Sequence, residues 1–413
     1  MRVTRTLYEK SPRRGYAVIL GASYDGPGLR RRETLMYECE GRDDLPFTPR
    51  ERTSEDNGRT WTDWKPLPET VDHQENRWNL FGLSPVDADP ATGLTLGVGL
   101  RQTVVEQPVR RWYNHTYWAL SSDGGRTWGE PRQFRYEEGA VRDPANPLDP
   151  AFLEKNRAYP GSAIRLSDGS VLLACTAVNV PDDAPDTDPT GEFTGWDKAP
   201  HARDIGACCF RGRWDRAART VEWRMSNRVW VPLSVSCRGL AEAMPVELAD
   251  GRILVVCRGT GTRVTPGRKW CTVSADGGLT LGPIGELRYD DGSRFYSPSS
   301  IHGFIRHSMT GTLYWIANIT ADPPDGNRPR YPLVIAEVDE AIPAIRRSTV
   351  TVIDDRRPGE GKMLALSNFS VFENRETHSL ELYLSRYSAS VDDPEKDPEG
   401  MYDADGYRYV IEV

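Results

Sequence analysis

The chain has 413 residues, of which 38% are hydrophobic and 9% aromatic, with 37 glycines and 31 prolines. That mixture suits many short strands joined by turns and loops. The net charge of −8 argues against a nucleic-acid-binding surface, and no apolar run approaches the about 20 residues of a membrane helix.

The opening "MRVTRTLYEKSPRRGYAV" is charged and lacks the apolar core of a secretory signal, so the expected location is cytoplasmic, or the leader has been removed. Reading onward, "SEDNGRTW" at 54–61 is nearly repeated as "SSDGGRTW" at 121–128, and a weaker copy, "SADGGLTL", stands at 274–281. Between and beyond these copies lie hairpin-like segments at 80–100, 161–177, 243–259, 299–318 and 368–386. Each runs into a turn with Asp-Gly or similar chemistry and leaves it on a short apolar strand. Four strands per unit, repeated at about 60 to 75 residues, read as β-propeller blades.

The fold expected is therefore all-β, a six-bladed β-propeller of four-stranded antiparallel blades, with seven blades as the alternative. The blades fall near 14–68, 77–134, 157–233, 238–290, 295–354 and 364–413, within one domain spanning 1–413. The last has three obvious strands, and the N-terminal "RVTRTLYEK" is placed to supply its fourth. Helical periodicity is nearly absent. In the eight-residue motif, the aspartate can accept backbone N–H bonds across the turn and glycine supplies positive φ. The tryptophan is expected to pack between blades. On this reading the motif is a folding staple.

Seven cysteines, several in apolar runs such as Cys39, Cys175 and Cys257, are expected to be buried free thiols. No Cys/His spacing resembles a zinc site, and no phosphate loop, serine elbow or cofactor fingerprint occurs, so neither metal nor cofactor is expected.

The eight-residue motif is the Asp-box, and with the hairpin repeats the chain resembles the sialidase (neuraminidase) superfamily of six-bladed propellers. That resemblance implies three arginines gripping a carboxylate, a tyrosine–glutamate nucleophile pair and an acid/base aspartate. "RGLAEAMPVELADGRILVVCRG" is similar to the blade carrying the glutamate and second arginine, which puts Glu242 and Arg258 in those places. "TLMYECEGRDD" is similar to the region of the acidic residue, pointing to Asp43 or Asp44, and Tyr387 is a candidate nucleophile. The Phe-Arg-Ile-Pro motif of sialidases is missing; its nearest echo, "NRAYPGSA" at 156–163, lies in another blade.

Read without the family, the strand ends carry a pattern of their own. Second strands of blades end in Arg42, Arg101, Arg258 and Arg386, and innermost strands are preceded by Arg77, Arg157, Arg238 and Arg294. Solvated charge at strand ends is one explanation. A cationic funnel binding the carboxylate or sulfate of a sugar is the favoured one. Glu242 begins an innermost strand among these arginines, and Tyr159 and Tyr296 follow two of them. His115 stands in "RRWYNHTYW" beside Arg110, Arg111, Tyr113 and Asn114. The long insertion 179–204, with Trp196 and His201, could form a lid, and 388–405 is a second long loop.

These residues point to an enzyme that cleaves a terminal acidic sugar, sialic or uronic, from a glycan in the sialidase manner, using Glu242. The close alternative is a polysaccharide lyase acting at a uronic acid, as at rhamnosyl-glucuronate linkages. There an arginine neutralises the carboxylate, and His115, Tyr159 or Tyr296 removes the proton. The third reading is a propeller that binds acidic glycans without turnover. The expected partner in every case is an acidic oligo- or polysaccharide, with no nucleic acid, membrane or protein partner evident.

Overall fold

The computed structural model describes every residue except 27, 43, 75–76, 107–110, 179–204, 233, 263 and 395, and the side chain of His73. The fold is all-β: six antiparallel sheets of four or five strands form the blades of a six-bladed β-propeller. Among the described residues, helix is confined to short pieces such as Pro150–Leu153 and Pro398–Met401. The chain divides into two compact units, Thr70–Leu287 and Met1–Glu69 with Arg288–Val413, each holding three blades.

In the unit Thr70–Leu287, the second blade is built on the long hairpin Arg77–Asp89 and Leu94–Val105, followed by Arg111–Ser121. The third runs Ala158–Arg165, Val171–Ala177, Gly206–Asp215 and Thr220–Met225. The fourth runs Ala241–Glu247, Ile253–Arg258, Lys269–Ser274 and Gly285–Glu286. Second strands such as "VLLACTA" are buried along their whole length because sheets stack on both of their faces. Leu172, Ala174 and Cys209 of the third blade pack with Val255 and Cys257 of the fourth. Leu96, Val98 and Trp118 of the second pack with Leu173, Cys175 and Phe210 of the third. The seven cysteines are all free.

Stacked inner strands approach closely where glycine allows it. A Cβ on Gly161 would stand 2.0 Å from the carbonyl oxygen of Ala243, so the third and fourth blades can meet there only without a side chain.

In the other unit, the first blade comprises Ala17–Tyr24, Arg31–Glu38, Phe47–Ser54 and Lys65–Pro66. The fifth is built on Gly303–Arg306, Leu313–Asn318 and Leu333–Asp339, with Thr351–Asp354 at its outer side. In the sixth, Ser370–Glu373, Leu380–Tyr387 and Gly406–Glu412 are followed outward by the N-terminal strand Arg2–Glu9. That strand pairs antiparallel from Arg2 opposite Glu412 to Leu7 opposite Tyr407, and after a register shift Glu9 stands opposite Gly406.

The repeated octapeptide makes the same turn three times. Asp123 accepts from the backbone N–H of Arg126 (3.0 Å) and Thr127 (2.9 Å) and from the Thr127 hydroxyl (2.7 Å). Asp56 repeats this with Arg59 and Thr60 at 3.0, 2.8 and 2.6 Å. Asp276 does so with the N–H groups of Leu279 (3.1 Å) and Thr280 (2.8 Å). The two tryptophans differ in their surroundings: Trp61 of the first blade lines a cleft together with residues of the sixth blade. The Trp128 ring lies over Gly97, where a Cβ would come within 2.4 Å of it, and Trp61 donates to the Gly58 carbonyl at 3.1 Å. Where Leu281 replaces the tryptophan, its side chain is buried in the core shared by the third and fourth blades.

Two predictions follow from this packing. Gly161→Ala drives a methyl group into the Ala243 carbonyl and lowers stability by at least about 1–3 kcal/mol. Gly285→Ala, whose added Cβ meets nothing within 4 Å, serves as the silent control in the same thermal unfolding series. The second concerns acid. Burial would raise the Asp276 carboxyl, but bonds from Ser274, Thr280 and Leu279 outweigh it and hold the value at about 2. An unfolded aspartate titrates at about 3.9, so the stabilisation is present above that pH and disappears as pH falls toward 2. Asp276→Asn should therefore be less stable than the parent at pH 7, with a gap that narrows between about pH 4 and 2. Denaturant unfolding across that range checks it.

Candidate active site

The site builds outward from Glu242. Its inner strand carries a bulge between Ala241 and Met244, and Glu242 sits in it at φ +47°, a left-handed conformation that costs a non-glycine residue on the order of 1–3 kcal/mol. Two contacts hold it there. Its backbone N–H donates to Thr176 Oγ1 of the third blade at 2.7 Å, and Glu242 Oε1 accepts from Arg258 Nη1 at 2.7 Å. Arg258 ends the second strand of the same blade, directly opposite Ala241 and Lys269 on the neighbouring strands. Both side chains are mostly buried, 20% exposed for Glu242 and 13% for Arg258. The second carboxylate oxygen of Glu242 is buried and has no hydrogen-bond partner among the described residues. One oxygen is thus clamped by a guanidinium while the other keeps its lone pairs unsatisfied inside the protein.

Tyr159 lies opposite Thr176 in the ladder of the third blade and so shares a sheet face with the hydroxyl that holds Glu242. It is 37% exposed, which makes it the accessible tyrosine next to this corner. Arg238, half-buried, lies on the segment leading into the Glu242 strand, before Gly239 at φ +61°.

The remaining predicted residues are distributed more widely. Arg157 donates to Glu154 and to the Trp112 carbonyl, both at 3.2 Å, and stacks over Tyr113. Arg101 lies over Phe81 at 4.3 Å, and Arg77 bonds Gln74. In the unit of the first, fifth and sixth blades, Arg42 covers the Phe47 ring at 4.5 Å. Arg294 is exposed there, and Tyr296 is half-buried, with its carbonyl accepting from Thr320. Asp44 is exposed in a turn at φ +59°. Asp43, Arg110, Trp196 and His201 lie outside the described residues, as does the insertion 179–204.

Two predictions need correction. His115 has no exposed surface: its ring stacks on Phe152 at 4.4 Å, and burial pushes the imidazole down to about 4. It is a neutral packing residue at pH 7 and does not reach an accessible surface. Arg386 is 3% exposed and bonds Asp354 and Glu360, with Tyr409 donating to the same Asp354. Its charge is already neutralised inside the protein, so it is not available to a ligand.

The structure adds residues that the sequence reading missed. Thr176 was hidden in a wholly apolar run, and only its hydroxyl at the end of "VLLACT" hinted at a role. Glu38, at the end of Arg31–Glu38, accepts from the Tyr387 phenol at 2.9 Å, with both residues nearly buried. Tyr387 therefore has a carboxylate partner, and that partner is Glu38.

No protein-family model matches the sequence, and a search of curated proteins finds no match. Solved structures do match in fold. A protein of unknown function from Dyadobacter fermentans aligns with a TM-score of 0.59 at 14% identity, covering 100% of this chain and 99% of that one. The NanB sialidase from Streptococcus pneumoniae aligns at 0.58 and 13% identity, over 99% of this chain and 70% of that one. The GH93 α-L-arabinofuranosidase of Fusarium graminearum aligns at 0.52 and 11%, over 99% and 98%. The chain thus shares the six-bladed propeller fold found in sialidases and GH93 arabinofuranosidases.

The Thr176 contact is testable by itself. Thr176→Val removes the acceptor for the Glu242 N–H and leaves a buried donor unpaired, costing about 1–3 kcal/mol. Thr176→Ser keeps the hydroxyl and should stay near the parent in thermal unfolding.

Proposed function

We propose that this protein is a carbohydrate-active hydrolase that removes a terminal acidic sugar, sialic or uronic, from a glycan. The observation that carries the reading is the Glu242–Arg258 pair: a carboxylate in a strained conformation, one oxygen clamped at 2.7 Å and the other buried without a hydrogen-bond partner. Strain of this kind persists where the surrounding structure over-determines it, and it concentrates at functional sites. Glu242 acts as the base or as the partner that activates a nucleophile. Arg258 and Arg238 supply guanidinium groups suited to a sugar carboxylate. Sialidases and GH93 arabinofuranosidases of the same fold act on glycans, which supports the class of reaction. The acidic sugar rests on the arginines alone.

Elimination from a uronic acid is the second reading, and one observation favours it: Tyr159 is exposed beside the corner that holds Glu242. The burial of His115 removes one of the other two bases that reading called on, leaving Tyr296, which is half-buried in the other unit.

The deciding experiment incubates the protein with a panel of sialylated and uronate-capped oligosaccharides and follows product mass together with ultraviolet absorbance. Hydrolysis releases a sugar carrying one added water, and Glu242→Gln then lowers kcat by about 10²–10⁴-fold. An unsaturated product that gains absorbance without added water would replace hydrolysis with elimination, and Tyr159→Phe would then be the damaging change. Binding with no turnover in any arm would leave a lectin-like propeller and sink both enzymatic readings.

A further inference from the structure

A cleft of about 430 Å³ lies within the unit of the first, fifth and sixth blades, next to the first Asp-box. Its walls come from three places: Asn57, Gly58, Arg59 and Trp61 of the box, the first-blade strands through Arg31 and Arg52, and the sixth blade through Arg408 and Thr377. Four arginines and a single acid, Glu376, line it. Glu381 and Glu33 stand directly behind this lining, so four guanidiniums meet three carboxylates and one positive charge is left over.

The guanidinium groups are held firmly from behind. Arg31 donates to Glu381 at 2.9 Å, Arg408 donates to the same carboxylate at 2.9 Å, and Arg52 reaches Glu33 at 2.8 Å. One carboxylate, Glu381, therefore serves two guanidiniums. Arg31 is 2% exposed, and its Nε is buried with no acceptor among the described residues. Arg59, 63% exposed, stands at the mouth with its Nη2 on Glu376 at 2.6 Å. Trp61 and Tyr8 add apolar surface to this polar lining, the combination that suits a sugar ring bearing a charged group.

We propose that this cleft is a second, non-catalytic binding site for an oxyanion carried on a sugar, either a carboxylate or a sulfate. The Asp-box of the first blade is then both a turn staple and a wall of a ligand site. The inference does not depend on Glu242, since none of the lining residues belongs to that corner.

Calorimetric titration of the full-length protein with sodium glucuronate, with inorganic sulfate and with glucose tests it. The titration is repeated on Arg258→Ala, Arg59→Glu and Thr377→Trp. Arg59 and Thr377 are exposed, so these two variants should keep the parent's circular dichroism and melting behaviour. The proposal expects glucuronate binding that survives Arg258→Ala, weakens at least about tenfold in Arg59→Glu and disappears when Thr377→Trp fills the cleft. Competition by inorganic sulfate supports recognition of the oxyanion as such. Glucuronate binding that sulfate leaves untouched supports recognition of the carboxylated ring. Glucuronate binding lost in Arg258→Ala but unchanged in Thr377→Trp overturns the proposal, as do equal affinity for glucose and no heat from either anion at about 10 mM.

Discussion

Glu381 is the charge around which the unit of the first, fifth and sixth blades closes. It is 1% exposed, and it accepts from Arg31 of the first blade, from Arg408 on the last strand, and from Asn374 at 2.6 Å. Tyr8, on the N-terminal strand, reaches Glu33 at 2.7 Å beside the same cluster, and burial together with Glu33 pushes its phenol up to about 12. A buried carboxylate pays for its desolvation only when its lone pairs are taken up, and removing one partner of such a pair costs on the order of 3–5 kcal/mol. The network thus links the first strand of the chain, the last strand and the first blade through groups that cannot be separated cheaply. Arg2–Glu9 is the outermost strand of its sheet and pairs on one side only, so these contacts are what tie it to the first blade. Pairing of Arg2–Glu9 with Gly406–Glu412 supplies the ladder, and the ionic cluster fixes which blade that ladder stands beside.

The same logic explains how much of the molecule could be read from its residues. Hairpins are local objects: Asp-Gly turns and short apolar runs mark them within a dozen or so positions, so the six blades were legible, although the strand Val71–Gln74 that opens the second sheet lies before the expected start at 77. The octapeptide was legible too, because every bond that makes it lies within four residues of its aspartate. The place of Trp128 was not. Trp128 settles on Gly97, and nothing near either residue in the sequence announces the other.

The site was harder for a physical reason visible in two arginines. Arg258 and Arg386 both end the second strand of a blade, in "VVCR" and "YLSR", and sequence alone treats them alike. Their difference lies in partners: Arg258 meets a glutamate with a free oxygen, while Arg386 is enclosed by Asp354, 32 positions away, and Glu360. His115 failed for the same kind of reason, since the ring that covers it, Phe152, comes from a four-residue helix that no periodicity could signal. Tyr387 and Glu38 are 349 positions apart. Local chemistry can propose charged groups at strand ends. Only tertiary contacts decide which of those charges are spent inside the protein.

That distinction also bears on why Glu242 is the residue to follow. Elsewhere in the described structure, buried carboxylates such as Glu381 and Asp354 are surrounded by two or more donors, which makes them structural. Glu242 has one donor to its side chain, and its strained backbone is held by a neighbouring blade's hydroxyl on a strand with no exposed residue. A fully buried strand is a rigid support, and rigid support of a conformation that the residue would not adopt alone is what preorganisation requires. Packing by itself would favour an apolar side chain or a glycine at that bulge, as Gly161 and Gly239 show nearby. On the function proposed for this protein, a glutamate kept there with one oxygen unsatisfied serves a ligand rather than the fold.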